Sequence, residues 1–409
     1  MDPARNPYTP NAGAEPEVIV GRDDQMTSFD LLLHRLASGR TEQSMIITGL
    51  RGVGKTVLLG QFRAKALDAN WVVIELEVSK HEESQFRREI STKLRTALFE
   101  LSPRARWGDK MTRAAAVLRS FGLSVDPSTG VFTAGLDVDP AEGFGDHGDL
   151  SLDLTDVLVA IGEAAATVKR GVVLLFDEIQ FLAPAQLEAL IEALHKTVQR
   201  KLPVTLVGAG LPQIAELAGD AKSYAERLFK FPSITHLSPA DAARALAEPA
   251  TQEQVVFEQA ALEAAVQVTG GYPYFVQELG YAVWPIATND RIRLSDVEAA
   301  LPTYVAKLDS SFFRVRLDRT TELQRAYLRA MAGLGPEPQR AADVAEAMGR
   351  SSSSEVGPVR AQLIDMGLLY TPQHGLAAFT VPHFDQFMLR AVPDLVVPPP
   401  RRRSRESTD

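Results

Sequence analysis

The run Ser44-Met-Ile-Ile-Thr48-Gly49-Leu-Arg-Gly52-Val-Gly54-Lys55-Thr56 carries more information than any other part of this chain. Ser44–Thr48 is short and apolar and reads as a buried strand. Lys55–Leu67 has helical apolar spacing, and the glycine-rich turn between the two fits the phosphate-binding loop pattern. Glycines at these positions let backbone N–H groups turn inward around phosphate oxygens. Lys55 adds a positive charge at the β- and γ-phosphates, and the Thr56 hydroxyl can ligate Mg²⁺. The helix that starts at Lys55 adds the positive end of its dipole.

A site of this kind needs an acid on the metal side. Gly171–Phe176 is an apolar strand that runs into Asp177-Glu178. Asp177 at the strand tip is placed to hold Mg²⁺, directly or through water, and Glu178 to polarise an attacking water. Trp71–Val78 and Val204–Val207 read as further strands, with helices over Asp24–Ser38, Glu82–Leu101, Lys110–Phe121, Thr155–Thr167 and Ala185–Arg200. Strands alternating with helices predict an α/β fold, a parallel sheet sandwiched by helices.

Composition sets the outer bounds. At 409 residues, 45% hydrophobic and 23% charged, the chain is neither wholly disordered nor a small disulfide-stapled scaffold. It has no cysteine, which excludes disulfides, thiol catalysis and thiolate metal sites and suits a reducing, cytoplasmic setting. The formal charge of -9 argues against a polycation that coats nucleic acid. Met1–Pro16 has no apolar run fit for a secretion signal, and no stretch has the composition of a membrane span.

Residues 1–20 read as an extended arm, broken by Pro3, Pro7, Pro10 and Pro16. The nucleotide core is expected over 21–236, with 122–150 as an insertion containing a hairpin around Gly130 and Val131. Helical spacing over Pro239–Glu248, Glu258–Thr269, Tyr274–Ala287 and Ser295–Leu308 predicts a helical lid at 237–308. Helices over Thr321–Met331, Ala341–Met348 and Ser354–Met366, then short strands flanking His374-Gly375, give 309–397 the order of a winged helix. Ser351–Ser354 is expected to cap the third of these helices. Residues 398–409, with Arg401, Arg402, Arg403 and Arg405, read as a disordered basic tail.

Taken together, Val20-Gly21-Arg22, the Gly49–Thr56 loop and Asp177-Glu178-Ile-Gln180 resemble the AAA+/STAND-type P-loop ATPases, nearest to bacterial proteins with an origin-recognition-like AAA domain. Gly208-Ala-Gly-Leu-Pro212, Ser223–Phe229, Gly270-Gly-Tyr-Pro-Tyr-Phe275 and Phe379–Phe384 extend the resemblance over nearly the whole chain except its ends. It implies ATP and Mg²⁺ as cofactors, with Gly49, Leu50, Arg51, Gly52, Val53, Gly54, Lys55, Thr56 and Val57 around the nucleotide. Thr56 and Asp177 would take the metal, and Lys55 and Glu178 would act in hydrolysis. Val20 and Gly21 fall where such proteins pass backbone along the adenine, although a simple capped turn would look the same. Arg227 falls near the position of an arginine finger offered to a neighbouring subunit; it also reads as an exposed helix arginine. Tyr272 and Pro273 resemble the lid element that approaches the nucleotide, and equally an ordinary helix start.

Two departures from that family matter. Gly208-Ala209-Gly210 provides no polar sensor at the end of the fourth strand, and Pro273 or Tyr274 stands where origin initiators carry a lid arginine. Both favour a slow nucleotide switch. The leading expectation is therefore an ATP-driven switch or assembly factor acting on a macromolecular partner, with a protein partner, an ATP-dependent homo-oligomer or both expected and DNA held only weakly. The alternatives are a DNA-binding initiator or loader, and a scaffold with negligible turnover. Residues 340–390 hold four arginines, no lysine and five acidic residues, a net charge of −1 that leaves little to grip phosphates. Arg360 and Gln362 are the base-reading candidates of the third helix. His195 reads as a surface or packing residue.

Overall fold

The computed structural model describes residues 1–11, 13–79, 82–125, 135–373 and 375–399. The expected hairpin at Gly130 and Val131, the turn at His374 and the Arg401–Arg405 tail lie outside the described residues. The chain forms two compact units. One comprises Asn6–Val256 and Ala265–Gln277; the other comprises Met1–Arg5, Phe257–Ala264 and Glu278–Asp409.

Within the described residues of the first unit, five strands form one sheet in the order β2-β3-β4-β1-β5. They are β1 (Ser44–Thr48), β2 (Val72–Glu77), β3 (Val172–Asp177), β4 (Val204–Gly210) and β5 (Phe229–Lys230). Every pairing is parallel, as in Ile47 opposite Ala209 and Glu77 opposite Asp177. Helices fill the connections: α1 (Asp23–Ala37), α2 (Lys55–Asp68), α3 (Glu83–Leu101), α4 (Asp109–Val125), α5 (Leu150–Thr167), α6 (Pro184–Gln199), α7 (Ile214–Ala221) and α8 (Ala225–Leu228). Because successive strand side chains point to opposite faces, an apolar run must be covered on both sides. Ile46, Ile74, Leu174, Phe176 and Leu206 pack into one cluster with α3, α4, α5 and α6. The alternate residues Met45, Ile47, Val173, Leu175 and Val207 are equally buried, and α2 packs across β2, β3 and β4. Phe29 of α1 meets Phe62 of α2 with ring centroids 4.5 Å apart.

The elements differ from their sequence-based limits in instructive places. Helix α5 begins at Leu150, because Asp149 caps it by accepting the N–H of Leu152 at 3.0 Å. β4 runs on through Gly208-Ala209-Gly210, which propensity reads as a break but which is buried throughout. The two-residue β5 is too short to carry a pattern. Residues 1–20 are less extended than expected. Pro3–Arg5 forms a 3-10 turn, and Tyr8 is buried with its hydroxyl donating to the Leu246 carbonyl at 2.5 Å.

The remaining elements are α9 (Pro239–Gln252), β6 (Val256–Phe257), α10 (Gln259–Thr269), α11 (Pro273–Val283), β7 (Arg291–Ile292) and α12 (Leu294–Lys307). A π-helical stretch follows at Leu308–Phe313, then α13 (Arg314–Leu317), α14 (Glu322–Leu334), β8 (Gln339–Arg340), α15 (Ala341–Ala347) and α16 (Gly357–Asp365). The chain closes with β9 (Leu369–Tyr370), β10 (Leu376–Phe379) and α17 (Phe384–Ala391), β10 pairing antiparallel with both β8 and β9. Phe313 of the π-helical stretch lies 5.8 Å from Phe384 and 5.2 Å from Phe387, centroid to centroid, which anchors a helix the sequence pattern did not reveal. The expected cap at Ser351–Ser354 is a correction. Ser352 caps a 3-10 turn at Ser353–Glu355, and α16 starts later, at Gly357-Pro358, with no side-chain cap. Proline near the helix start makes such a cap dispensable.

Candidate nucleotide site

In a parallel sheet all carboxyl ends share one edge, the edge at which α/β folds place their ligands. Here β1 ends at Thr48, β3 at Asp177 and β4 at Gly210. The loop leaving β1 makes its turn with Gly52 and Gly54 at φ of +81° and +92°. A Cβ on Gly52 would stand only 3.1 Å from the Tyr272 ring, so that position is closed to other residues on two counts. Gly54 then opens α2 in left-handed geometry, and among the described residues no side chain caps the helix start. A helix start of this kind exposes its first backbone amides, the groups that suit an anion.

Four chemically active side chains meet at this edge. The Thr56 hydroxyl donates to Asp177 Oδ2 at 2.6 Å, joining the first turn of α2 to the tip of β3. The other Asp177 oxygen, Oδ1, accepts the Glu178 N–H at 2.8 Å. Lys55 is buried, and its Nζ donates to the carbonyls of Gly49 and Leu50 at 3.0 and 2.9 Å. Burial lowers the Lys55 pKa from its ordinary value, while Glu178 and Asp177 nearby oppose the shift. Burial likewise raises the Asp177 pKa, against the bonds from Thr56 and the Glu178 amide. Glu178 sits in left-handed backbone geometry at φ +52°, the sharp turn by which the chain leaves β3. Its carboxylate accepts a short hydrogen bond from Gln180 Nε2. An oxygen-only donor pair, one hydroxyl and one carboxylate, suits Mg²⁺, which keeps much of its own water and needs few protein ligands.

The outlying candidates divide. Tyr272 donates from its hydroxyl to the Arg51 carbonyl in a short hydrogen bond, and the Tyr274 N–H donates to the Gly52 carbonyl at 3.2 Å. The turn that starts α11 at Pro273 is thus fastened to the loop itself. Val20 is buried, and Gly21 has φ +66°. The next residue, Arg22, donates to the Val53 and Thr235 carbonyls, both at 3.0 Å. Burial lowers the Arg22 pKa, and Asp241 works the other way. Arg22 and Gln180 are the residues whose roles the sequence reading did not assign, although both lie in quoted motifs. The available signals were a charged side chain after Gly21 and an amide two residues beyond Glu178. Val57 continues α2 behind the loop.

Arg227 is not brought to the loop of its own chain. It is exposed on α8, just before β5, and β5 pairs with Ser44 and Met45 at the start of β1. The loop follows the far end of β1, about 15 Å on at ~3.3 Å per residue. His195 is a packing residue, its ring 4.5 Å from that of Tyr224. Among the described residues there is no metal-binding cluster of His, Asp and Glu, and no helix long and apolar enough to cross a membrane.

Comparison with known proteins agrees with this geometry. Residues 18–207 match the family described as the AAA ATPase domain, and residues 310–388 match a domain of unknown function. No curated protein matches the chain. Among solved structures, the Walker-type ATPase of Pyrococcus abyssi aligns at TM-score 0.57 and 15% identity, covering 91% of this chain and 97% of its own. The Orc1 protein of Aeropyrum pernix, solved in complex with DNA, aligns at TM-score 0.45 and 16% identity over 95% and 96% of the two chains. The RuvB Holliday junction branch migration motor of Thermotoga maritima aligns at 0.45 and 17% over 90% and 94%. At such identity the first of these likenesses speaks for the fold alone. With the loop at the end of β1 and the acid pair at the end of β3, the chain has a P-loop NTPase fold, and its residues 18–207 match the AAA ATPase domain family.

Proposed function

We propose that this protein binds ATP with Mg²⁺ and hydrolyses it slowly, as a cytoplasmic nucleotide switch acting on a protein partner and on further copies of itself. One observation carries the reading: the 2.6 Å bond from Thr56 to Asp177, which closes the loop of β1 onto the acid of β3 with Lys55 and Glu178 beside it. Gly49–Val57 and the start of α2 receive the phosphates, and Lys55 supplies the charge. Thr56 and Asp177 would hold Mg²⁺, which when bound would neutralise charge on the phosphate oxygens. Glu178 takes a proton from a water as its oxygen bonds to the γ-phosphorus. The bond from that phosphorus to the bridging oxygen breaks, and ADP and phosphate leave. Val20 and Gly21 border the base.

The switch reading is supported by the fastening of Tyr272 and Tyr274 to the Arg51 and Gly52 carbonyls. Any rearrangement of the loop around phosphate pulls on the turn from which α11 grows. The division we propose is an ATPase core at 21–236, a lid at 237–308 and a winged helix at 309–397. The antiparallel β8, β9 and β10 with α14, α15 and α16 support the last of these. Titration calorimetry on Lys55→Ala tests the site. Loss of a charge-assisted contact of about 1.5–3 kcal/mol should weaken MgATP binding tenfold to a hundredfold. Unchanged affinity would remove Lys55 from the site.

A further inference from the structure

β4 ends without a polar side chain, and the packing around its last residues gives a reason. A Cβ on Gly208 would lie 2.9 Å from Ile179 Cδ1, and one on Gly210 would lie 2.7 Å from Gln180 Oε1. The turn after β3 therefore fills the space that a side chain at the end of β4 would need. Gln180 is buried in that space and uses both ends of its amide. Oε1 accepts the Leu211 N–H at 3.0 Å, just beyond β4, and Nε2 donates to Glu178 Oε2. A side chain from the β3 turn thus ties the strand edge at β4 to the carboxylate beside Lys55.

We propose that Gln180 is a positioning residue for hydrolysis: it holds one oxygen of Glu178 from the edge of β4 and leaves the other to meet water, supplying the polar group that Gly208-Ala209-Gly210 lacks. This rests on the reading of Glu178 as the base. The amide is suited to the task because it can accept and donate at once, and neither function depends on pH. A carboxylate fixed on one side by a buried amide is confined to a narrow range of orientations, which is what proton abstraction demands.

Three variants of the full chain test it. Gln180→Glu keeps the acceptor for Leu211 and loses the donor to Glu178. Gln180→Met keeps the length and loses both. Gly210→Ala leaves the glutamine but pushes on its Oε1. Steady-state hydrolysis, MgATP affinity by calorimetry and thermal melting are measured on each. In all three, kcat should fall about tenfold, the order of a lost hydrogen bond to a charged group, with affinity within about twofold of the parent. Adding Gln180→Met to Glu178→Gln should slow hydrolysis no further, since the two residues act as one unit. Parent kcat in Gln180→Glu together with a slow Glu178→Gln would overturn the role of Gln180 alone. So would a loss of affinity in step with rate, or full additivity in the double variant. Parent rate in Glu178→Gln, or no hydrolysis by the parent protein, would overturn both this role and the assignment of the base.

Discussion

Two parts of this molecule present arginines, lysines and amides in helical settings, and they use them in opposite ways. At the ends of β1 and β3 the polar side chains gather around a glycine turn, bonded to the loop and to one another. Among the described residues no side chain caps the first turn of α2, and the Thr56 hydroxyl meets the Asp177 carboxylate there. On α16 the longest polar side chains turn back onto their own fold. Arg360 donates to the Leu376 carbonyl at 2.7 Å and to Thr371 Oγ1 at 3.3 Å, and Gln362 Oε1 accepts from Gln324 Nε2 at 2.9 Å. The difference teaches that residue type on a helix says little about ligands. Spacing that forces backbone amides to converge says a great deal.

The sharpest test of the comparison concerns an open cation away from the loop. Arg227 is exposed, and it sits by the start of β1, away from the Gly49–Thr56 loop that follows the strand's far end. If a second copy completes the site, Arg227→Ala should cut turnover by about 10³, the lower end for arginine fingers. Mixing it with Lys55→Ala should restore part of the activity, and light scattering should show self-association in ATP. A monomer in ATP with no rescue would make Arg227 an ordinary surface residue. Next in size is Glu178→Gln, which should retain nucleotide and slow phosphate release by about 10² or more, since an amide cannot take the proton. Parent turnover in that variant would make the acid pair structural.

How much of this was legible beforehand follows from the same contrast. The β1 limits, Ser44–Thr48, and the helix from Lys55 could be read directly, because a buried strand, a glycine turn and a phosphate-facing helix impose residue types at fixed spacing. The Asp177-Glu178 pair was legible for the same reason. The extension of β4 through Gly208-Ala209-Gly210 was not, since its glycines answer to Ile179 and Gln180, which are distant in sequence. Helix α17 was missed although Phe384, Phe387 and Met388 fall at helical spacing, because the run is only eight residues long and is anchored by packing on the distant Phe313. The attachment of Tyr272 to the Arg51 carbonyl spans more than two hundred residues and could not be read locally either.

The smallest effect is expected on the other side of the comparison, at Arg360. Nonspecific duplex affinity comes chiefly from neutralised phosphates, each adding about 0.9 to the salt slope. Residues 340–390 carry net charge −1, and Arg360 is half-buried with its guanidinium turned to Leu376 and Thr371. Arg360→Ala should therefore leave any duplex binding and its salt slope unchanged. It should instead cost about 1.5 kcal/mol of stability, as two hydrogen bonds that hold α16 to β10 and to Thr371 beyond β9 are lost. Chemical denaturation of the full-length variant measures the second quantity, and fluorescence anisotropy against a labelled duplex at several salt concentrations measures the first. A drop of about one in the salt slope with stability intact would mean that Arg360 leaves its internal partners to grip DNA, and the contrast between the two regions would collapse.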